Sequence, residues 1–132
     1  MTASVPEAMR DLFDEPAVAH VSYLNDAGQI VTFPMWVDFD GTNLSVSSPV
    51  GSRKGQAVRR RPQVAVSIVS TKNPWHWLSV SGRVVAIRPD EDLAWIDRMS
   101  QKYAGQLYQR RSPREVFMIE IDRVGSSDSW GS

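Results

Sequence analysis

Six short runs of β-branched and aromatic residues, joined by brief connections or a single short helix, constrain this chain more than any other feature. They are Ala17 to Leu24, Ile30 to Phe39, Leu44 to Ser48, Val64 to Ser70, Trp77 to Ile87 and Glu115 to Val124. Runs of this kind bounded by turn residues read as strands. The stretches "NDAGQ" and "DGTN" between the first three carry the Gly, Asn and Asp that tight turns need, so neighbouring strands can pair antiparallel. Pro34 lies inside the second run and has no N–H for a ladder. That strand therefore belongs at a sheet edge or carries a bulge.

Three segments have helical character. Val5, Met9, Leu12 and Phe13 predict a short amphipathic helix over Val5 to Asp14, closed before Pro16. Ser52 follows the breaker pair Pro49 and Gly51 and reads as an N-cap. The helix it opens runs to Arg60 or Arg61, stops at Pro62 and is weakened by Gly55. Over Asp90 to Tyr103 the spacing of Leu93, Trp95, Ile96, Met99 and Tyr103 predicts the strongest helix, with Gly105 as its stop. An all-β-dominated fold follows, a small antiparallel barrel of about six strands with helices outside it. Residues 1–132 are enough for one such domain. The Ser/Gly-rich end, "GSSDSWGS", is expected to fray.

Charge and composition narrow the function. Lys plus Arg equals Asp plus Glu at 15 each, so no global field favours nucleic acid or an acidic membrane, and any anion site must be local. The absence of cysteine removes disulfides and thiolate chemistry. "MTASVPEAMRDLF" has acidic residues and no long apolar core, which reads as neither signal peptide nor anchor and points to the cytoplasm. His20 and His76 have no ligand spacing around them, and neither a complete Gly-rich phosphate loop nor a nucleophile elbow is present. No metal site is expected. Asp38 and Asp40 suit a turn and Asp90, Glu91 and Asp92 a helix start, so no catalytic side chain is assigned. If the chain is an enzyme, a bound cofactor carries the reaction.

The segment "SRKGQAVRRRPQVAV" holds five of the 15 basic residues within ten positions. Arg53 and Lys54 fall in the first helical turn, where they oppose the helix dipole. There the free N–H groups and the two cations form a ready anion site, although an exposed basic helix accounts for them equally well. Arg59, Arg60 and Arg61 fall in the last turn, which the dipole favours for cations, so a structural role leads for them. Trp36, Trp75 and Trp77 lie in or beside strand runs. On a strand Trp75 and Trp77 share one face and His76 takes the other. Such residues fill a core or an interface, or together wall a site for a flat ring.

The segments "FPMWVDFDGTNLSVSS", "SRKGQAVRRRPQVAVSI", "NPWHWLSVSGRVV", "DRMSQKYAG" and "REVFMIEIDRV", in that order, resemble the pyridoxamine 5'-phosphate oxidase-like split β-barrel family, which includes FMN-binding proteins. Within it the order is similar to the flavin/deazaflavin oxidoreductases of actinobacteria that use coenzyme F420. The resemblance spans about Val18 to Val124. It implies a homodimer with cofactor sites at the subunit interface and hydride transfer from reduced F420 to an electron-poor, planar small-molecule substrate. Ser47, Arg53 and Lys54 match the family's phosphate contacts, with Ser52 nearby. Pro34, Met35 and Trp36 match the strand beside the ring, and Trp75 and Trp77 an aromatic strand supplied by the second subunit. Gln56, Ala57 and Val58 replace the Arg-Asn-Leu of many relatives. Two alternatives accompany this reading: an FMN-dependent oxidoreductase of the same fold and a non-catalytic protein that stores F420.

Overall fold

The computed structural model describes residues 2–127. Seven strands form one antiparallel sheet: β1 (Ala19–Leu24), β2 (Ile30–Met35), β3 (Asp38–Phe39), β4 (Leu44–Pro49), β5 (Gln63–Val69), β6 (Trp77–Pro89) and β7 (Arg114–Ser126). Their order across the sheet is β2-β1-β5-β6-β7-β4-β3, curled into a split β-barrel. Two α-helices, α1 (Arg53–Arg60) and α2 (Ala94–Ala104), lie outside it, with 3-10 turns at Glu7–Phe13 and Glu91–Leu93.

Six expected strands become seven because the run Ile30 to Phe39 breaks at Trp36 and Val37. The break has a visible cause in α2. The Val37 N–H donates to the Tyr103 hydroxyl at 3.4 Å, and the Val37 carbonyl accepts from Lys102 Nζ at 3.2 Å. With both backbone groups taken by side chains, Val37 has none left for a ladder. Pro34 sits on β2, an edge strand paired only with β1, as its missing N–H requires.

The short helix expected at the N-terminus is a 3-10 helix, Glu7–Phe13. Its predicted apolar face holds: Val5, Met9, Leu12 and Phe13 are buried in the barrel core. Full burial of a side chain such as Leu12 contributes about 2 kcal/mol.

Strands β6 and β7 bend together through register shifts at Ser81/Gly82 and Val84/Ala86. Gly82 is required there, since a Cβ at this position would stand 2.1 Å from the Glu120 carbonyl oxygen. The main core fills the barrel. A second cluster of Leu93, Trp95, Ile96, Met99 and Val116 lies under α2, with Trp36, Tyr103 and Tyr108 packed against it.

The start of α2 departs from expectation. Asp92 and Leu93 take left-handed conformations, φ 54° and 58°, so the helix is entered through a kink. Buried Asp90 holds that kink, its carboxylate accepting from the N–H groups of Trp95 at 2.8 Å and Ile96 at 3.0 Å. Of the Ser/Gly-rich terminus expected to fray, residues 128–132 lie outside the described part; Gly125 and Ser126 belong to β7.

Candidate functional site

An open cleft of about 290 Å³ lies where the two hydrophobic clusters meet. The end of β2 supplies Pro34 and Met35, followed by Trp36; β4 supplies Ser47 and α1 supplies Lys54. Trp95 and Ile96 of α2, Tyr108 of the α2–β7 loop, Arg114 of β7 and Val18 complete the lining.

The helix start behaves as its sequence predicts. Ser52 is the N-cap, its hydroxyl accepting from the Gly55 N–H at 3.0 Å and from the Ser48 hydroxyl at 2.7 Å. Gly55 has a role beyond weakening the helix: a Cβ there would be 3.2 Å from Phe117 Cζ, so its absence lets α1 seat closely on β7. Lys54 is thereby carried into the cleft. Its Nζ also stands 4.4 Å above the Phe33 ring.

Two cations, Lys54 and Arg114, line the cleft. Burial pushes the Lys54 ammonium below its ordinary value, and the nearby Arg114 charge pushes it further. Burial likewise lowers Arg114, from a value so high that the guanidinium stays charged. Arg114 donates from Nε to the Ser47 hydroxyl at 3.1 Å and lies 5.2 Å from the centre of the Tyr108 ring. Among the described residues, neither cation makes an ion pair with a carboxylate. Two partly desolvated cations and the hydroxyl that Arg114 bonds are a donor set for an anion.

The aromatic wall is braced by ring contacts and hydrogen bonds. Trp36 stacks on Tyr103 with centroids 5.2 Å apart and planes 9° from parallel, and meets Tyr108 edge-on at 5.9 Å. The Tyr103 hydroxyl donates to the Ala17 carbonyl at 2.7 Å, and the Trp95 Nε1–H to the Ser45 hydroxyl at 3.0 Å.

Of the nine candidate binding residues, the cleft gathers Pro34, Met35, Trp36, Ser47 and Lys54. Ser52 and Arg53 line an adjoining groove of about 640 Å³ between α1 and the β1–β2 hairpin, which Lys54 also borders. Arg53 has no charged partner among the described residues. Trp75 lies in the turn before β6, 73% exposed, beside a strand that begins at Trp77 as the sequence predicts. Neither Trp75 nor Trp77 reaches the cleft of its own chain.

The three later arginines all have local partners. Arg59 pairs with Glu115 at 2.6 Å, Arg60 with Asp26 at 2.5 Å, and Arg61 donates to the Asn25 carbonyl at 3.0 Å. Asp40 serves its turn by accepting from the Thr42 and Asn43 N–H groups, whereas Asp38 pairs with Arg98. His76 bonds Asp11 at 2.8 Å, away from the cleft. No group of three or more metal-ligating side chains occurs among the described residues.

Sequence reasoning missed Arg114, Trp95, Ile96 and Val18. Arg114 reaches Ser47 only because β7 pairs with β4, with Arg114 opposite Pro49. That pairing leaves no local signal. Trp95 and Ile96 were visible as helix positions, but not the face of the molecule that α2 covers.

The pyridoxamine 5'-phosphate oxidase family profile matches residues 5–128. No curated protein matches the chain. Among solved structures, an F420 reductase superposes with a TM-score of 0.82 at 24% identity, covering 92% of this chain and 98% of that chain. General stress protein 26 of Bacillus anthracis gives 0.70 at 14% identity, covering 92% of each chain. A conserved hypothetical protein of Mycobacterium tuberculosis gives 0.68 at 16% identity, over 99% of this chain and 90% of that one.

Proposed function

The chain belongs to the pyridoxamine 5'-phosphate oxidase family, and from that premise we propose that it is an F420-dependent reductase acting on small, planar, electron-poor molecules. The observation that carries this reading is the set of Lys54, Arg114 and the Ser47 hydroxyl, lining one cleft with the Pro34–Trp36 wall, with neither cation in an ion pair among the described residues. An anionic group joined to a flat ring is the ligand chemistry that fits both parts. The overall likeness to an F420 reductase supports the choice of deazaflavin.

In this reading Lys54, Arg114 and Ser47 bind the anionic end of the cofactor, and Arg53 widens the positive rim toward the adjoining groove. Pro34, Met35 and Trp36 flank the ring. The Tyr103 stack holds Trp36 in place, so little orientational freedom is lost when a ring is bound. When bound, the reduced deazaflavin supplies a hydride. The cleft is open on one side, which gives substrate and solvent protons access.

The functional unit is a homodimer in this proposal. The outward face of β1, β5 and β6 presents two cross-strand rows of mostly small side chains: His20, Ser67 and Ser79 in one, and Ser22, Ala65 and Ser81 in the other. Exposed Val69 and Trp75 lie at one end of it, with Trp77 opposite Val69. Such a face lets a second sheet approach closely and gives Trp75 and Trp77 a place beside the partner's cleft. Sedimentation analysis should then give twice the 14.8 kDa chain mass.

Tryptophan-fluorescence titration with oxidised F420 and, separately, FMN at two ionic strengths tests the cofactor. Salt-sensitive F420 binding with a Kd of about 1 μM or tighter is expected. Preference for FMN would place the protein among flavin-dependent oxidoreductases, since FMN carries the same phosphate chemistry. Tight F420 binding without turnover across electron-poor substrates would instead make it a binding protein. Binding of neither would end the proposal.

A further inference from the structure

The loop between α2 and β7, residues 105–113, contains no helix or strand, yet one of its residues is held on both sides of its backbone. The Tyr108 N–H donates to Asp97 Oδ1 at 3.1 Å, and the Tyr108 carbonyl accepts from Arg111 Nη1 at 2.8 Å. Asp97 and Arg111 are themselves joined by two bonds, Nη1 to Oδ1 at 2.8 Å and Nη2 to Oδ2 at 3.0 Å. One ion pair therefore fixes the Tyr108 peptide groups. Its hydrogen bonds from Arg111 hold the Asp97 carboxyl below its ordinary value.

Tyr108 itself lines the cleft. Its ring meets Trp36 edge-on and has the Arg114 guanidinium over its face. Exposed ion pairs are worth little as stability, and Arg111 is half exposed. A two-bond pair that also takes both backbone groups of a cleft residue is more readily explained by orientation, because its planar fork fixes direction.

We propose that Asp97 and Arg111 are positioning residues, and that Tyr108, held by them, is the wall that restricts the open side of the cleft to flat ring systems. This rests on the reading of the cleft as a binding site for planar molecules. It adds a determinant of selectivity that neither the anion donors nor Trp36 supplies.

The test compares menadione, flat apart from a methyl group, with 2-tert-butyl-1,4-naphthoquinone, using quenching of tryptophan fluorescence with and without F420. The wild-type chain should prefer menadione. In Arg111→Ala and Tyr108→Ala that preference should fall at least fivefold, while Tyr108→Phe, which keeps the ring, should retain it. Hydrogen exchange across residues 105–113 should rise in Arg111→Ala, with the thermal midpoint nearly unchanged.

An unchanged preference in Arg111→Ala would overturn the positioning role, whatever Tyr108→Ala does. An unchanged preference in Tyr108→Ala, or no menadione binding by the wild type, would overturn the wall. Titration with F420 alone reports separately on the cofactor reading, so loss of one does not imply loss of the other.

Discussion

Arg114 donates from Nε to the Ser47 hydroxyl, 3.1 Å away, across the pairing of β7 with β4. The bond aims a half-buried guanidinium at the cleft that Lys54 enters from α1. If these groups bind the cofactor's anionic end, Arg114→Ala and Lys54→Ala should each weaken F420 binding by roughly tenfold to a hundredfold, the worth of a hydrogen bond to a charged group. Arg53→Ala, in the adjoining groove, should cost less than about threefold by fluorescence titration, as expected for an exposed charge. Equal losses for Arg53 and Arg114 would move the anion site out of the cleft.

Lys54 also predicts a pH dependence. Burial and Arg114 lower its pKa in the free protein, and a bound anion favours the ammonium and raises it again. Binding then takes up a proton between those two values. Affinity for F420 should fall as pH rises through the lowered pKa, by no more than about tenfold per pH unit, and level off above the bound-state value. In the free protein the sign for folding is opposite: stability attributable to Lys54 rises with pH between its lowered pKa and 10.5. A Lys54→Arg protein should bind with no such alkaline decline, which calorimetry in two buffers can check through proton uptake.

Gly82→Ala should destabilise the chain by about 3 kcal/mol or more, the upper range for overpacking, because the nearest atom is backbone and cannot rotate away. Gly125→Ala, on β7 with nothing within 4 Å of its added carbon, is the matched control. Urea denaturation of both should separate them clearly.

Asp90→Ala removes the acceptor for the Trp95 and Ile96 N–H groups. A loss of about 1–2 kcal/mol is expected, typical of a helix cap. Because Trp95 and Ile96 line the cleft, ligand affinity should fall as well. Asp90→Asn, which retains one acceptor, should lie between the two on both measurements.

Much of the barrel was legible because its signals are local. Ser52, Gly55 and Pro62 mark out α1 in an eleven-residue window, and Gly105 ends α2 in a left-handed conformation, φ 74°. Pro34 announced an edge strand or a bulge, and β2 is the edge. Illegible features depend on distant pairings. The strand broken at Val37 is interrupted by Lys102 and Tyr103, 65 and 66 positions later in the chain. The cleft shows the same division: Lys54 was found through its helix start, whereas Arg114 is distinguished only by the strand it faces.

The strand order also sets a schedule for synthesis. β4 makes its sheet bonds only to β3 and β7, so the β3–β4 hairpin has no strand joining it to β1, β2, β5 and β6 until β7 arrives. A nascent chain emerging from the ribosome can close the β1–β2 hairpin and add β5 and β6, while the strand carrying Ser47 waits. β7, which leaves the tunnel after the other six, draws the two halves together and brings Arg114 to Ser47. Contacts so far apart in sequence fold slowly, and a chain stalled before residue 114 would display a half-sheet with an unpaired edge, the form of this protein most exposed to chaperones and to aggregation.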